Sequence, residues 1–212
     1  PPVTRTTLPS STPMGLPPLV FSVERSFVAG AVKEAVRWEI RRERPEDAAL
    51  VDRLNAESFG PGRFAKSAYR LREGVAAVAE LSFVAIEHGA FRGSVRFWPV
   101  TVGAETVLLL GPLAVQSDQR GRGIGIALMR KGIEAAKAAG YGAIILVGDE
   151  PYYARVGFAK LPPGRISFPG PVDRARVLGL SLKPDALANL SGDVRRAEID
   201  DPVCADGAPL GG

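Results

Sequence analysis

A glycine-rich turn between two regular segments constrains the fold of this chain more than any other feature. An almost wholly apolar run at residues 106–115 precedes the turn, and such a run is typical of a central strand buried on both faces. The turn itself spans residues 119–125 (QRGRGIG), and helical periodicity follows until Gly140. A second apolar strand is predicted at residues 143–147. A strand, turn, helix, strand unit of this kind predicts a mixed α/β fold.

The composition of the turn indicates an anion site. Glycines let backbone N–H groups approach an anion closely because no Cβ stands in the way, and a helix start adds unpaired donors. Arg120 and Arg122 add positive charge, so the turn is suited to a pair of phosphates. The dinucleotide fingerprint G-x-G-x-x-G/A does not fit, because its last position falls on Ile126 or Leu128, and no P-loop Gly-Lys-Ser/Thr triplet occurs. A glycine-rich loop that binds nothing is the alternative on this motif alone.

The remaining segments lie on both sides of this unit. A helix that Pro45 opens carries Leu50, Val51 and Leu54 as its predicted buried face. A second helical stretch contains Phe64, and a short helix is predicted near residue 152. Periodicity and β-branched content predict further strands at residues 38–41, 81–87, 90–102 and 176–182, with a hairpin turn at residues 88–89.

Composition suggests how the chain divides. With 212 residues, 46% hydrophobic and 24% charged, it is typical of one globular domain. Residues 1–37 are predicted to be an N-terminal extension that is partly disordered, because six Pro and six Ser or Thr occupy its first 18 positions. We expect the folded domain at residues 38–190 and a C-terminal tail at residues 191–212.

The charge and cysteine content bear on location and partners. A single cysteine, Cys204, and the lack of an apolar run of 18 residues predict a cytoplasmic protein with no membrane partner and no thiolate metal site. The net charge of +4 suits an anionic ligand. Nucleic acid is not the expected partner, because Glu43 splits the basic cluster of Arg41, Arg42 and Arg44 and no aromatic residue lies between them.

Two short signatures in this order resemble those of the GNAT (N-acetyltransferase) family. The R-x-x-G-x-G at residues 120–125 is similar to the family's acetyl-CoA motif, and residues 152–158 (YYARVGF) resemble its Y-x-x-x-G-F signature. Residues 97–99 and 148–153 look most like a bacterial subgroup known only as predicted N-acetyltransferases. The resemblance covers about residues 38–182.

The resemblance implies a GNAT acyl-CoA N-acyltransferase fold, an α/β (α+β) arrangement whose mixed central sheet has splayed strands four and five flanked by helices. It also implies acetyl transfer from acetyl-CoA, by direct attack in a ternary complex, to an amine of a small molecule or peptide that is not identified. Gly111-Pro112 in the fourth strand is consistent with a bulge there. The residues implied in cofactor binding are Leu113, Ala114, Val115, Arg120, Gly121, Arg122, Gly123, Ile124, Gly125 and Ile126.

For catalysis, the resemblance implies Tyr153 as the proton donor to the departing thiolate, with no metal involved. Many relatives place a glutamate on strand four, whereas this chain has an apolar LLLG at residues 108–111, so no base is carried over. Glu80, Glu87 and His88 are the candidates on or beside the predicted hairpin. A non-catalytic acyl-CoA-binding or regulatory module is the alternative function, and a homodimer is left open.

Overall fold

The computed structural model describes residues 38–62 and 67–197. The predictions for residues 1–37, for Phe64 and for the end of the tail at residues 198–212 lie outside the described residues. Four α-helices are present in the described part of the chain: α1 (Ala48–Phe59), α2 (Ser67–Arg70), α3 (Ile124–Ala138) and α4 (Glu150–Tyr153). The strands are β1 (Trp38–Arg42), β2 (Phe83–Glu87), β3 (Ala90–Val102), β4 (Glu105–Val115), β5 (Ala143–Val147), β6 (Ala159–Lys160), β7 (Ile166–Ser167), β8 (Val177–Ser181) and β9 (Gly192–Arg196).

The sheet is mixed, as the sequence predicts. Its strands follow the order β1-β2-β3-β4-β5-β8-β6, while β9 pairs with β3 and β7. The first four strands form an antiparallel meander, whose β2–β3 turn places His88 and Gly89 at φ 50° and 76°. Positive φ at both positions matches the two-residue hairpin turns that follow strand twist. Strand β5 then runs parallel to β4, and α3 makes the connection between them.

Strand β4 is the centre of the core. Leu108 and Leu110 pack on the face that α3 covers, whereas Leu109 packs on the opposite face with Trp98. All three leucines are buried, which confirms the prediction of a strand covered on both faces.

Two irregularities of β4 open the sheet. Val95 pairs with Leu113 but Phe97 pairs with Leu110, so two residues of β4 lie opposite one residue of β3. This is the bulge expected at residues 111–112. The parallel ladder to β5 consists of the pairs Leu108–Ile144 and Leu109–Ile145, and no residue of β4 after Leu109 pairs with β5. Strands β4 and β5 are therefore splayed beyond Leu109.

Helix α1 differs from its prediction in one position. Val51 and Leu54 are buried as expected, but Leu50 is 46% exposed. The third buried position is Asn55, so the stripe follows i, i+3 and i+4 from Val51 and leaves Leu50 beside it. The prediction for Leu50 is wrong because it assigned only apolar residues to the buried face, whereas the polar residue Asn55 takes the third buried position.

The C-terminal boundary also lies further along the chain than residue 190. Strand β9 pairs Val194 with Val102 and Arg196 with Val100, so the residues up to 196 belong to the sheet. Val194 is buried in the same cluster as Trp98. In the described residues, no helix has the length and apolar content that a membrane span requires.

Candidate active site

The glycine-rich turn adopts a shape that only glycine takes without strain. Gly121 and Gly123 have φ values of 79° and 94°, and Gly123 is the N-cap of α3. A Cβ at either position would meet no atom within 4 Å, so the space in front of the turn is open. No side chain caps the helix start, which leaves the first backbone N–H groups of α3 directed at that space. The turn is therefore an open cradle for an anion.

A cavity of about 350 Å³ begins at this cradle. It extends to the splayed part of β4 and to Tyr153 at the end of α4. Nine of the ten residues predicted to bind the cofactor line it: Leu113, Ala114, Val115, Arg120, Gly121, Gly123, Ile124, Gly125 and Ile126. The fold thus brings two separated sequence signatures to one cavity.

Arg122 is the predicted residue that does not line the cavity. Its guanidinium donates to both carboxylate oxygens of Glu87, at 2.6 and 3.0 Å, and to the side chain of Gln119. It also lies over the ring of Trp38, 5.7 Å from the centroid. Glu87 is buried and Arg92 approaches it to 3.2 Å. The hydrogen bonds from Arg122 hold the pKa of Glu87 below its ordinary value, against the opposing effect of desolvation. The Arg122 side chain therefore ties the turn to the hairpin.

Tyr153 packs in a mostly apolar environment. Its ring meets those of Tyr152 and Phe158 edge to face, with centroids 5.3 and 6.0 Å apart. Gly148 lies directly beneath it, where any Cβ would overlap the ring. Burial raises the pKa of Tyr153 to about 12, and the neighbouring Tyr152 and Asp149 add to this. The phenol is therefore fully protonated near neutral pH and can only donate its proton there.

Tyr152 reaches the helix start instead. Its hydroxyl lies so close to Gly125 that a Cβ on that residue would overlap it. Burial raises the pKa of Tyr152 as well. Tyr152 therefore faces the anion cradle, whereas the ring of Tyr153 packs against the hydrophobic core.

Five lining residues are absent from the predicted set, and Tyr152 is one of them. Ser58 and Phe59 come from the end of α1, Gln119 precedes the turn, and Arg155 follows α4. Arg155 could have been predicted from the sequence, since it lies inside the YYARVGF signature two positions after Tyr153. The α1 pair carries no local signal, and only the tertiary fold brings it to the cavity.

The base candidates lie elsewhere. Glu87 is engaged by two arginines, His88 lies in the hairpin turn, and Glu80 faces a separate depression at the opposite end of β4. Of the described residues that line the cavity, none carries a carboxylate or an imidazole. Likewise, residues 38–62 and 67–197 hold no cluster of three or more His, Cys, Asp or Glu suited to a metal.

Known proteins resemble this chain in sequence. The model of the Acetyltransferase (GNAT) family matches residues 48–161. The uncharacterized N-acetyltransferase YhbS of Escherichia coli strain K12 is 35% identical over 164 residues, which span 75% of this chain and 96% of YhbS. Another E. coli K12 relative, the uncharacterized N-acetyltransferase YjhQ, is 30% identical over 164 residues, 73% of this chain and 90% of YjhQ.

Solved structures agree. The crystal structure of E. coli YhbS in complex with CoA superposes with a TM-score of 0.65 at 32% identity, covering 79% of this chain and 94% of that one. A GNAT family acetyltransferase from Brucella melitensis in complex with acetyl-CoA gives 0.57 at 30% identity, covering 76% and 97%. The chain therefore belongs to the GNAT family of acetyltransferases and is an acyltransferase of that family.

Proposed function

We propose that this protein transfers the acetyl group of acetyl-CoA to an amine by direct attack in a ternary complex. The observation that carries the proposal is the single cavity that joins the anion cradle at residues 120–126 to the splayed edge of β4 and to Tyr153. The related structures contain CoA or acetyl-CoA, which supports the same donor here. The cytoplasmic location stays a prediction.

The diphosphate of the donor fits the cradle. Ile124, Gly125 and Ile126 are the first three residues of α3, and their N–H groups have no acceptor within the helix. Arg120 and Arg155 line the same cavity and add two positive charges. Backbone donors and the helix dipole together favour a doubly charged ligand at this position.

The pantetheine arm fits the open edge of β4. Strand β3 occupies one edge through the pairs Leu113–Val95 and Val115–Gly93, while the ladder to β5 has already ended at Leu109. An extended arm that carries amides can pair with the free edge as an added strand does. Backbone N–H groups beside Leu113 would then polarise the thioester carbonyl, which gains negative charge as the amine attacks.

Tyr153 supports departure of the thiolate. Its hydroxyl stays protonated because burial raises its pKa to about 12. A donor of this kind stabilises developing charge on sulfur by hydrogen bonding. Because no described residue that lines the cavity is a base, we expect the acceptor amine to arrive neutral or to lose its proton to water. An amine with a pKa near 10 is mostly protonated at pH 7, so the rate should rise with pH until the amine is deprotonated.

A second function has one observation in its favour. The lack of a carboxylate or imidazole among the described lining residues fits a module that binds acyl-CoA without transferring the acyl group. Such a module would serve as a sensor or a regulatory subunit.

Thiol release separates the two functions. Acetyl-CoA binding is first measured by calorimetry, and release of the free thiol is then followed across a panel of amines at pH 7 to 9. Release that depends on the amine, with one acetylated product per thiol, supports the transferase. Tight binding with no amine-dependent release across the panel would support the binding module instead.

A further inference from the structure

Arg72 is a cation that the proposed reaction does not use, and it lies at the point where the sheet opens. It follows α2, and its Nε donates to the carbonyl oxygen of Ala68 at 2.9 Å. Its Cζ lies 5.2 Å from the ring centroid of Trp98 and 5.7 Å from that of Tyr69. One terminal nitrogen, Nη1, is 3.9 Å from the place a Cβ on Gly111 would occupy. The guanidinium thus faces the bulge of β4, just past the last pair with β5.

This arginine differs from others whose side chains are shielded from water. Arg41, Arg96 and Arg122 each have a carboxylate oxygen within 2.5 to 2.6 Å. For Arg72, by contrast, no ion pair with a carboxylate forms in residues 38–62 and 67–197, and its contacts there are one carbonyl and aromatic faces. Burial lowers its pKa to about 10, which still leaves it charged near neutral pH. A shielded cation without an anion is costly, so an anion supplied by a ligand would be stabilised there.

We propose that Arg72 binds a carboxylate of the acceptor, and that the acceptor is therefore a small amine that carries a carboxylate, such as an amino acid. The proposal rests on the proposed function, since it assigns the acceptor end of that same site. A polyamine would meet repulsion at the same place.

The position of Arg72 along β4 fits this class of acceptor. Its guanidinium lies near Gly111, and Leu113, beside which the thioester is proposed to lie, is two residues further along the chain. The carboxylate and the amine of an α- or β-amino acid are only a few bonds apart, which suits a short separation of this kind.

The reaction balances without another reactant. The amine nitrogen forms a bond to the carbonyl carbon, the bond from that carbon to sulfur breaks, the sulfur gains one proton and the nitrogen loses one. The carboxylate stays unchanged throughout, so Arg72 acts in binding alone.

Matched pairs of acceptors test the proposal. Each amino acid is compared with its own amide, which keeps the amine and the side chain but lacks the negative charge. The amide has the less basic amine and is the better nucleophile at neutral pH, so a preference for the acid must come from recognition. We expect kcat/KM to favour the acid, and Arg72→Gln to lower kcat/KM for acids about 10- to 100-fold through KM while leaving amides unchanged.

The variants separate charge from packing. Arg72→Lys keeps the charge without the planar fork and should retain part of the acid preference. Arg196→Gln is the control for disturbance of α2, because Arg196 donates to the carbonyl oxygen of Arg70 at 2.9 Å and forms an exposed ion pair with Glu73 at 3.5 Å. It should leave the acid preference intact. Equal loss for acids and amides in Arg72→Gln would show a packing role and overturn the proposal.

Product binding gives a second readout that does not require turnover. Calorimetry with the CoA-loaded protein compares an N-acetyl amino acid with its amide, in the wild type and in Arg72→Lys. Preference for the acid that falls in the variant supports Arg72 even if no acceptor turns over, whereas equal binding of acid and amide overturns the proposal. If amines without a carboxylate turn over as well as amino acids do, the proposed transferase function is supported and only the proposal of a carboxylate-bearing acceptor is overturned.

Discussion

Replacing Tyr153 with phenylalanine removes one hydroxyl from the site and leaves the ring contacts in place. The ring packs against Tyr152, Phe158 and Gly148, and none of these contacts involves the oxygen. The substitution therefore tests the proton donor separately from the packing. Because the hydroxyl makes no hydrogen bond to the described residues, the free energy of unfolding should fall by less than the roughly 1 kcal/mol of a typical hydrogen bond.

The pKa of Tyr153 sets the size of the kinetic effect. A reference thiol has a pKa of about 8.5, so complete proton transfer from a phenol of pKa about 12 to the thiolate is uphill by about 3.5 pKa units, or about 5 kcal/mol. The hydroxyl therefore acts as a hydrogen-bond donor to the developing charge, which is worth about 1.5–3 kcal/mol. We expect Tyr153→Phe to lower kcat about 10- to 150-fold and to leave the Kd of acetyl-CoA almost unchanged.

The assay is thiol release at saturating acetyl-CoA and acceptor, with the Kd from calorimetry and the folded fraction from thermal unfolding. Tyr141→Phe is the matched control, because burial also raises the pKa of Tyr141 although it lies at the opposite end of β4. In the wild type, ionisation of Tyr153 should not reduce the rate below about pH 11, since its raised pKa preserves the donating form. Wild-type turnover in folded Tyr153→Phe would refute the reasoning, as would an alkaline limb near pH 10 that the variant abolishes.

Three more variants test the cradle and the core. Gly123→Val should raise the Kd of acetyl-CoA more than about 100-fold, because the side chain enters the open space in front of the turn and at least two charge-assisted hydrogen bonds are lost. Glu87→Gln should weaken acetyl-CoA binding several-fold, because the side chain of Arg122 is released and the turn loses its tie to the hairpin. Gly132→Ala should lower the free energy of unfolding by about 1–2 kcal/mol, because its Cβ would overlap the buried ring of Phe97, offset in part by the helix propensity of alanine.

Gly132→Ala and Glu87→Gln each have a matched control in the chain. Gly142→Ala places its Cβ 3.6 Å from that of Ala186, an ordinary contact, and should be nearly neutral in chemical denaturation. Glu134→Gln removes an exposed carboxylate on α3 and should leave acetyl-CoA binding as it is. Calorimetry that shows unchanged affinity in folded Gly123→Val or Glu87→Gln would contradict the corresponding prediction, and so would equal stability of the two alanine variants.

The strand, turn, helix, strand unit could be predicted from sequence because its signals are local. The apolar run of β4, the glycines of the turn and the closing Gly140 each specify a backbone conformation on their own, and the structure has them as expected. The hairpin at residues 88–89 follows for the same reason. Leu50 shows the limit of such reasoning, because the burial of Asn55 depends on packing against the sheet and not on hydrophobicity.

The contacts between distant segments could not be predicted in this way. Ser58 and Phe59 reach the cavity only because α1 packs across β4, which is distant in the sequence. Arg122 carries the charge expected at a phosphate site, yet its geometry depends on Glu87 of the hairpin. The sequence indicates which residues can attract an anion, whereas the structure determines which of those charges are already neutralised.

The partners of the arginines distinguish the two ends of the site. At the cradle, Arg120 and Arg155 are exposed and form no ion pair with the described residues, so added salt screens them and they suit the solvated phosphates of the donor. The charge of Arg122, in contrast, is neutralised by Glu87, so this ion pair connects the glycine-rich turn to the β2–β3 hairpin. At the other end, Arg72 is shielded by Trp98 and responds little to salt, so an anion that reaches it is held in a less polar environment. In the proposed reaction, the solvated diphosphate of the donor would lie at the cradle and the desolvated carboxylate of the acceptor would lie at Arg72 beside the bulge of β4, with the thioester and the amine between them.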